Sequence, residues 1–286
     1  MKKFAMIYHI LLSLSFIPLN AQAQGNLVII GGGDKPGNVI EKFISLAGGE
    51  NAGIIVIPNA STVPIESAVD QVDQFRSFGA PNVEAIYFNK STADDDSIVN
   101  KLEGATGVYF CGGDQSLLTA DLLGTRLLKK IRDIYANGGV VGGTSAGAAV
   151  MSKVMITGNE LINKDSTEAF NIIEKGNIET TEGFGFVTKA IIDQHFIKRK
   201  RNNRLITVIL EHPDLLGIGI DESTAILVKP DNTFEVLGES EVIIYNPLKA
   251  SGIKTNNAGK FSVNNMEMDI LTAGQKYDLN KAEIIQ

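Results

Sequence analysis

Short apolar runs and amphipathic stretches take turns along this chain. Asn26-Leu27-Val28-Ile29-Ile30 runs into Gly31-Gly32-Gly33, and Gly53-Ile54-Ile55-Val56-Ile57 ends at Pro58-Asn59-Ala60-Ser61. Gly107-Val108-Tyr109-Phe110 ends at Cys111-Gly112-Gly113-Asp114, and Val140-Val141 enters Gly142-Gly143-Thr144-Ser145. Residues 83–88 alternate, and Ala190-Ile191-Ile192 gives way to Asp193-Gln194-His195. Between these runs, residues 39–47, 66–78 and 122–136 repeat apolar positions at three- and four-residue spacing, which predicts helices with one buried face. Strands alternating with such helices predict an α/β fold, a largely parallel sheet covered on both sides. Ligands of such sheets sit beyond the carboxyl ends of the strands, and every polar cluster named above falls there.

The pattern changes after about Leu216. Leu216-Gly217-Ile218-Gly219-Ile220, Ala225-Ile226-Leu227-Val228, Phe234-Glu235-Val236-Leu237 and Val242-Ile243-Ile244-Tyr245 read as strands joined by short turns. They are expected to be antiparallel and to complete the same domain. Residues 251–265, rich in Asn and Ser, are expected to be a loose connection.

The start of the chain follows another logic. Lys2 and Lys3, an apolar stretch from Ile7 to Leu19, and Ala21-Gln22-Ala23 form the three parts of a secretory signal. The apolar stretch, interrupted by His9 and several serines, falls short of the ~20 residues a membrane span needs. Residues 1–23 are therefore expected to be removed, leaving 24–286 as a single exported α/β domain in the periplasm or outside the cell. A formal net charge of −7 gives little long-range attraction to nucleic acid. The single cysteine, Cys111, excludes an internal disulfide framework.

The chemistry concentrates at Gly143-Thr144-Ser145-Ala146-Gly147, a strand leading into a tight turn and a helix. That context sets a serine hydroxyl at the cleft and the N–H of Ala146 where an oxyanion would form. A phosphate cradle of the Walker type would need a lysine after the last glycine, and none is there. Of the two histidines beyond the signal, His195 follows a strand end, whereas His212 lies in the turn Glu211-His212-Pro213-Asp214. His195 is thus the candidate general base. Glu222 is the first choice for the acid that orients it, with Asp221 the second. The chain order Ser, His, Glu departs from the Ser, acid, His order of α/β-hydrolases. Cys111 reads as a packed small hydrophobe. Gly31-Gly32-Gly33-Asp34 lacks the spacing of a dinucleotide loop, and no metal-ligand set or cofactor is expected.

Four ordered motifs together resemble the cyanophycinase family. They are Phe110-Cys111-Gly112-Gly113-Asp114-Gln115, Gly143-Thr144-Ser145-Ala146-Gly147-Ala148, Asp193-Gln194-His195-Phe196 with Arg199, Arg201, Arg204 and Leu205, and Gly217-Ile218-Gly219-Ile220-Asp221-Glu222. The family's enzymes are exopeptidases that release β-Asp-Arg dipeptides from multi-L-arginyl-poly-L-aspartate. They are related to α-aspartyl dipeptidases and share a class I glutamine amidotransferase-like fold, with serine replacing cysteine. The resemblance implies Ser145 as nucleophile, His195 as base, Glu222 as acid, and Gly113 and Ala146 as oxyanion donors. It also implies that Gln115, Asp193, Gln194, Arg199, Arg201 and Arg204 line the substrate site. Arg201 and Arg204 each lie four residues before an apolar position, Leu205 and Val208, so both are expected to be semi-buried and to need carboxylates. Arg201 could equally be a structural ion-pair partner, and Lys198 and Lys200 are expected to face solvent. The expected partner is a peptide or cyanophycin-like polymer, with no nucleic acid and no membrane span; a homodimer is left open. An α-aspartyl dipeptidase, or a non-catalytic periplasmic binding protein on the same scaffold, are the competing readings.

Overall fold

The computed structural model describes residues 24–162, 164 and 169–286, so the expected signal segment lies outside the described residues. In chain order the strands are β1 (Asn26–Ile30), β2 (Gly53–Ile57), β3 (Asn82–Ala85), β4 (Gly107–Phe110), β5 (Val140–Thr144), β6 (Val154–Glu160), β7 (Ile178–Glu182), β8 (Ala190–Gln194) and β9 (Leu216–Ile220). They continue with β10 (Thr224–Val228), β11 (Thr233–Gly238), β12 (Val242–Asn246), β13 (Ser251–Thr255), β14 (Phe261–Asn264), β15 (Glu267–Leu271), β16 (Lys276–Asp278) and β17 (Glu283–Ile285). The helices are α1 (Gly37–Leu46), α2 (Pro64–Ser77), α3 (Asp96–Val99), α4 (Gln115–Leu122), α5 (Arg126–Ala136), α6 (Ala146–Ala149) and α7 (Asn202–Glu211).

The main sheet runs β17-β16-β11-β10-β1-β5-β4-β2-β3. Its β1-β5-β4-β2-β3 half is parallel, and β10, β11, β16 and β17 add antiparallel strands. This is the helix-flanked, mostly parallel sheet that the alternation predicts. Side chains alternate across it. Val28 and Ile30 face Val39, Ile40 and Phe43 of α1 and Phe75 of α2. Leu27 and Ile29 face the other way, into a core shared with Leu128 and Ile131 of α5. The helix expected over residues 122–136 is in fact two. Gly124 turns at φ 78°, and Thr125 restarts the helix by accepting the N–H of Leu128 on its side chain at 3.2 Å.

A second sheet is ordered β15-β12-β9-β8, and it corrects the expectation that Leu216–Ile220 would be antiparallel throughout, because β9 lies beside β8 of the earlier α/β part. β8 and β9 are parallel to each other, and β12 and β15 run antiparallel. Ile192, Ile218 and Ile220 pack into the same core as Leu27 and Ile29. On the sheet's far face, Leu205, Val208 and Ile209 of α7 pack on Ile191, Ile243 and Tyr245. Residues 251–265 are not a loose connection, because β13 and β14 form a hairpin there. No helix among the described residues is long and apolar enough to cross a membrane.

Register decides where the loops emerge. Ile30 pairs with Thr144, Gly143 with Phe110, and Phe110 with Ile57, so the segments starting at Gly31, Ser145, Cys111 and Pro58 leave at one rim. Ile220 is level with Gln194, which sends Asp221-Glu222 and His195 off together. The amide of His195 donates to Gly31 O at 2.7 Å and ties the second sheet's rim to the first.

Candidate active site

Ser145 stands between β5 and α6 with φ 54° and ψ −110°, a conformation that L-residues rarely adopt. Its carbonyl accepts the N–H groups of Ala148 and Ala149, and its own N–H donates to Ile30 O at 3.1 Å. The turn is held that sharp by close packing: a Cβ on Gly147 would come within 2.3 Å of Phe110 O. Ala146 opens α6, where the first N–H groups have no intrahelical acceptor. The Gly112-Gly113 turn passes just beside, since a Cβ on Gly112 would lie 3.3 Å from Ser145 Cβ.

His195 Nε2 lies 2.8 Å from Ser145 Oγ, and its Nδ1 lies 2.6 Å from Glu222 Oε1. A carboxylate on Nδ1 fixes the proton there and leaves Nε2 free to accept from the hydroxyl. Gly32, at φ 111°, carries the ring: a Cβ there would sit 2.2 Å from His195 Cε1. Gly33 meets the Glu222 side chain in the same way, so the Gly31–Asp34 loop supports this chain of hydrogen bonds from below. Burial pulls the His195 pKa below the usual imidazole value, against the Glu222 hydrogen bond that raises it; Arg199 and Arg201 lower it further. The balance favours the neutral imidazole over its cation.

The other expected residues divide. Gln115 is buried, and its amide nitrogen donates to Ile156 O at 2.8 Å and Thr157 O at 2.6 Å on β6. Asp193 and Arg204 are turned toward each other: Arg204 Nε donates to Asp193 Oδ2 at 2.9 Å, and Nη2 donates to Oδ1. With exposures of 1% and 2%, and Phe170 over the guanidinium at 4.8 Å, this pair corrects the expectation that both present themselves to a ligand. The carboxylate that Arg204 needs comes from the protein itself. Arg201 Nη1 donates to both the backbone and side-chain oxygens of Gln194 at 2.7 Å, and sits 4.0 Å from Asp193. Burial first, then the Arg204 charge, bring its pKa down to about 10. Arg199 differs, being exposed on the turn after His195 with no side-chain hydrogen bond or ion pair among the described residues. Lys198 and Lys200 are exposed.

Asp221 does not reach His195. Its Oδ1 accepts the N–H groups of Ile197 at 3.0 Å and Lys198 at 2.9 Å, and its Oδ2 accepts Ser240 Oγ–H at 2.8 Å. Asp221, the second choice for the orienting acid, is thus a turn cap, and the residue that the sequence reading missed is Phe170. Cys111 is buried, and burial pushes its thiol up to about 11. His212 follows the end of α7. Among the described residues no group of three or more His, Cys, Asp or Glu could hold a metal ion.

Solved structures share this architecture. A peptidase from an acI-B1 Actinobacterium superposes with TM-score 0.66 at 24% identity, covering 90% of this chain and 98% of its own. A putative Peptidase E protein from Listeria monocytogenes gives 0.50 at 18% identity over 76% of this chain and all of its own, a likeness of fold. In sequence, the chain is 34% identical over 271 residues to a cyanophycinase of Synechococcus elongatus, covering 91% of this chain and 81% of the relative. It is 32% identical to one of Geminocystis herdmanii, covering 89% and 94%. The pattern of Peptidase family S51 matches residues 27–236. On that match, and on relatives aligned over some nine-tenths of its length, the chain belongs to peptidase family S51 and is a peptidase.

Proposed function

We propose that this peptidase is an exported serine exopeptidase that hydrolyses cyanophycin, multi-L-arginyl-poly-L-aspartate, to β-Asp-Arg dipeptides through an acyl-enzyme on Ser145. The observation that supports it most is the hydrogen-bonded series Ser145 Oγ–His195 Nε2–Nδ1–Glu222 Oε1, at 2.8 and 2.6 Å. The substrate follows from the named cyanophycinases among the relatives.

In this reading His195 takes the Ser145 proton as Oγ attacks the scissile carbonyl. The N–H groups of Gly113 and Ala146 receive the oxyanion that develops. His195 then hands its proton to the departing amine, leaving an ester on Ser145. A water, deprotonated by the same imidazole, attacks that ester and releases the acid product, with Oγ recovering the proton. Glu222 holds the tautomer throughout and offsets the imidazolium charge. Arg199, which has no side-chain partner among the described residues, takes a substrate carboxylate. Arg201 with Gln194, and Arg204 with Asp193, form the wall behind it, with Gln115 joining that wall to β6.

The test is direct. A fluorophosphonate should label Ser145 in the purified protein, and Ser145→Ala should lose both labelling and turnover by several powers of ten. Mass analysis of products from cyanophycin should show β-Asp-Arg. Turnover of Asp-X dipeptides alone would reassign the chain to the α-aspartyl dipeptidases, and an unlabelled protein would fit a binding protein. Exported material should begin near Gln24 by intact mass, and a chain retaining Met1 would contradict export.

A further inference from the structure

Two adjacent acids leave the end of β9, and they grip the His195 segment at different places. Glu222 takes the imidazole, whereas Asp221 takes the backbone just beyond it. The turn 197–200 has four exposed side chains and little packing of its own. Its backbone N–H groups are nevertheless all committed. Ile197 and Lys198 donate to Asp221 Oδ1, Arg199 N donates to His195 O at 2.9 Å, and Lys200 N donates to Ile197 O at 3.0 Å. Asp221 itself is 7% exposed and anchored on its other oxygen by Ser240, whose Oγ lies 2.8 Å from Glu241 Oε2 as well. Beside the Arg199 N–H bond to His195 O, one buried carboxylate thus fastens the first half of this solvent-facing turn to the core.

We propose that Asp221 is a positioning residue for substrate binding: it fixes the turn that carries Arg199, and so holds that guanidinium beside the cleft. Exposed arginines ordinarily sample many rotamers, and binding must freeze them. Fixing the backbone under Arg199 removes part of that cost before the substrate arrives, which is preorganisation. Because Asp221 touches neither Ser145 nor the imidazole, its effect should fall on KM and leave the labelling of Ser145 intact. The inference rests on the proposed role of Arg199 as the substrate-carboxylate contact.

The substitutions separate the possibilities. Asp221→Ala leaves two N–H groups without their acceptor, and should raise KM for cyanophycin about tenfold, with kcat and the rate of fluorophosphonate labelling within about twofold. Asp221→Asn keeps an oxygen for both N–H groups and an amide that can donate to Ser240 Oγ, so it should behave as the parent protein. In the Arg199→Ala background, Asp221→Ala should add nothing further, since both act through one guanidinium. A readout independent of substrate is tryptic cleavage after Lys198, Arg199 or Lys200, which should quicken in Asp221→Ala and not in Asp221→Asn. If Asp221→Ala fails to fold, Asp221→Glu, whose longer side chain misplaces the oxygen, should show the same pattern. Additive losses in the double variant, equal losses in the Ala and Asn variants, or a freed turn with unchanged KM would overturn the proposal while leaving Arg199 in place. An Arg199→Ala protein with unchanged KM would instead remove the substrate role of Arg199, and this inference with it.

Discussion

Replacing Asp193 with alanine strips Arg204 and Arg201 of the carboxylate they share. Both guanidiniums are buried where α7 meets the second sheet, so neither turns to water without opening that seam. Removing one partner of a buried pair costs about 3–5 kcal/mol, because the remaining charge stays desolvated. At roughly 2–4 °C per kcal/mol for a domain of this size, Tm should fall by about 6–20 °C. The upper half of that range is expected, since two like charges are left side by side. Arg204→Met is the milder change: the stranded Asp193 keeps Arg201 at 4.0 Å and the N–H of Gln194 at 2.7 Å. Asp193→Leu with Arg204→Met removes the close pair and leaves Arg201 on the two Gln194 oxygens with no like charge beside it, so it should recover part of the loss, as apolar replacements of buried pairs commonly do. Thermal unfolding of the four proteins at one pH and salt concentration measures all of this. An Asp193→Ala protein more stable than Arg204→Met, or a double variant no more stable than Asp193→Ala, would refute the reasoning.

Three further outcomes follow from the site. Gly32→Ala should abolish fluorophosphonate labelling, because its Cβ would lie 2.2 Å from His195 Cε1 and the backbone is at φ 111°; labelling at the parental rate would show that the ring can shift at no cost. The acid limb of kcat/KM should have its midpoint below about 6.5, since burial, Arg199 and Arg201 outweigh Glu222 and hold His195 neutral to lower pH. Arg199→Ala should move that midpoint upward, and a downward shift would contradict the stated charges. Thiol reagents should leave activity unchanged, because Cys111 is 2% exposed and its thiol is raised to about 11; inhibition that tracks modification of Cys111 would overturn that reading.

The sequence made the rim legible because its signals are local. A glycine-flanked serine between a strand and a helix announces its own turn, and a histidine one residue past a strand end can be assigned to a rim without knowing the partner strand. Which sheet that strand joins is a different kind of fact. The run Leu216-Gly217-Ile218-Gly219-Ile220 has a period of two: Ile218 and Ile220 enter the main core, while a Cβ on Gly219 would lie 2.2 Å from the Phe196 ring. Such a bare face marks a strand closely covered on its second side, which suits a separate sheet with its own helix. Periodicity likewise put Arg204 on the buried side of α7 but could not name what it meets there. Burial is a property of one residue and its spacing, whereas pairing is a property of two elements brought together by the fold. Asp221 and Glu222 show the limit most sharply. Adjacent residues leaving a strand cannot both turn toward one imidazole, so the sequence could say that one of them would, yet the choice between them depends on the turn 197–200 that offers Asp221 two backbone N–H groups.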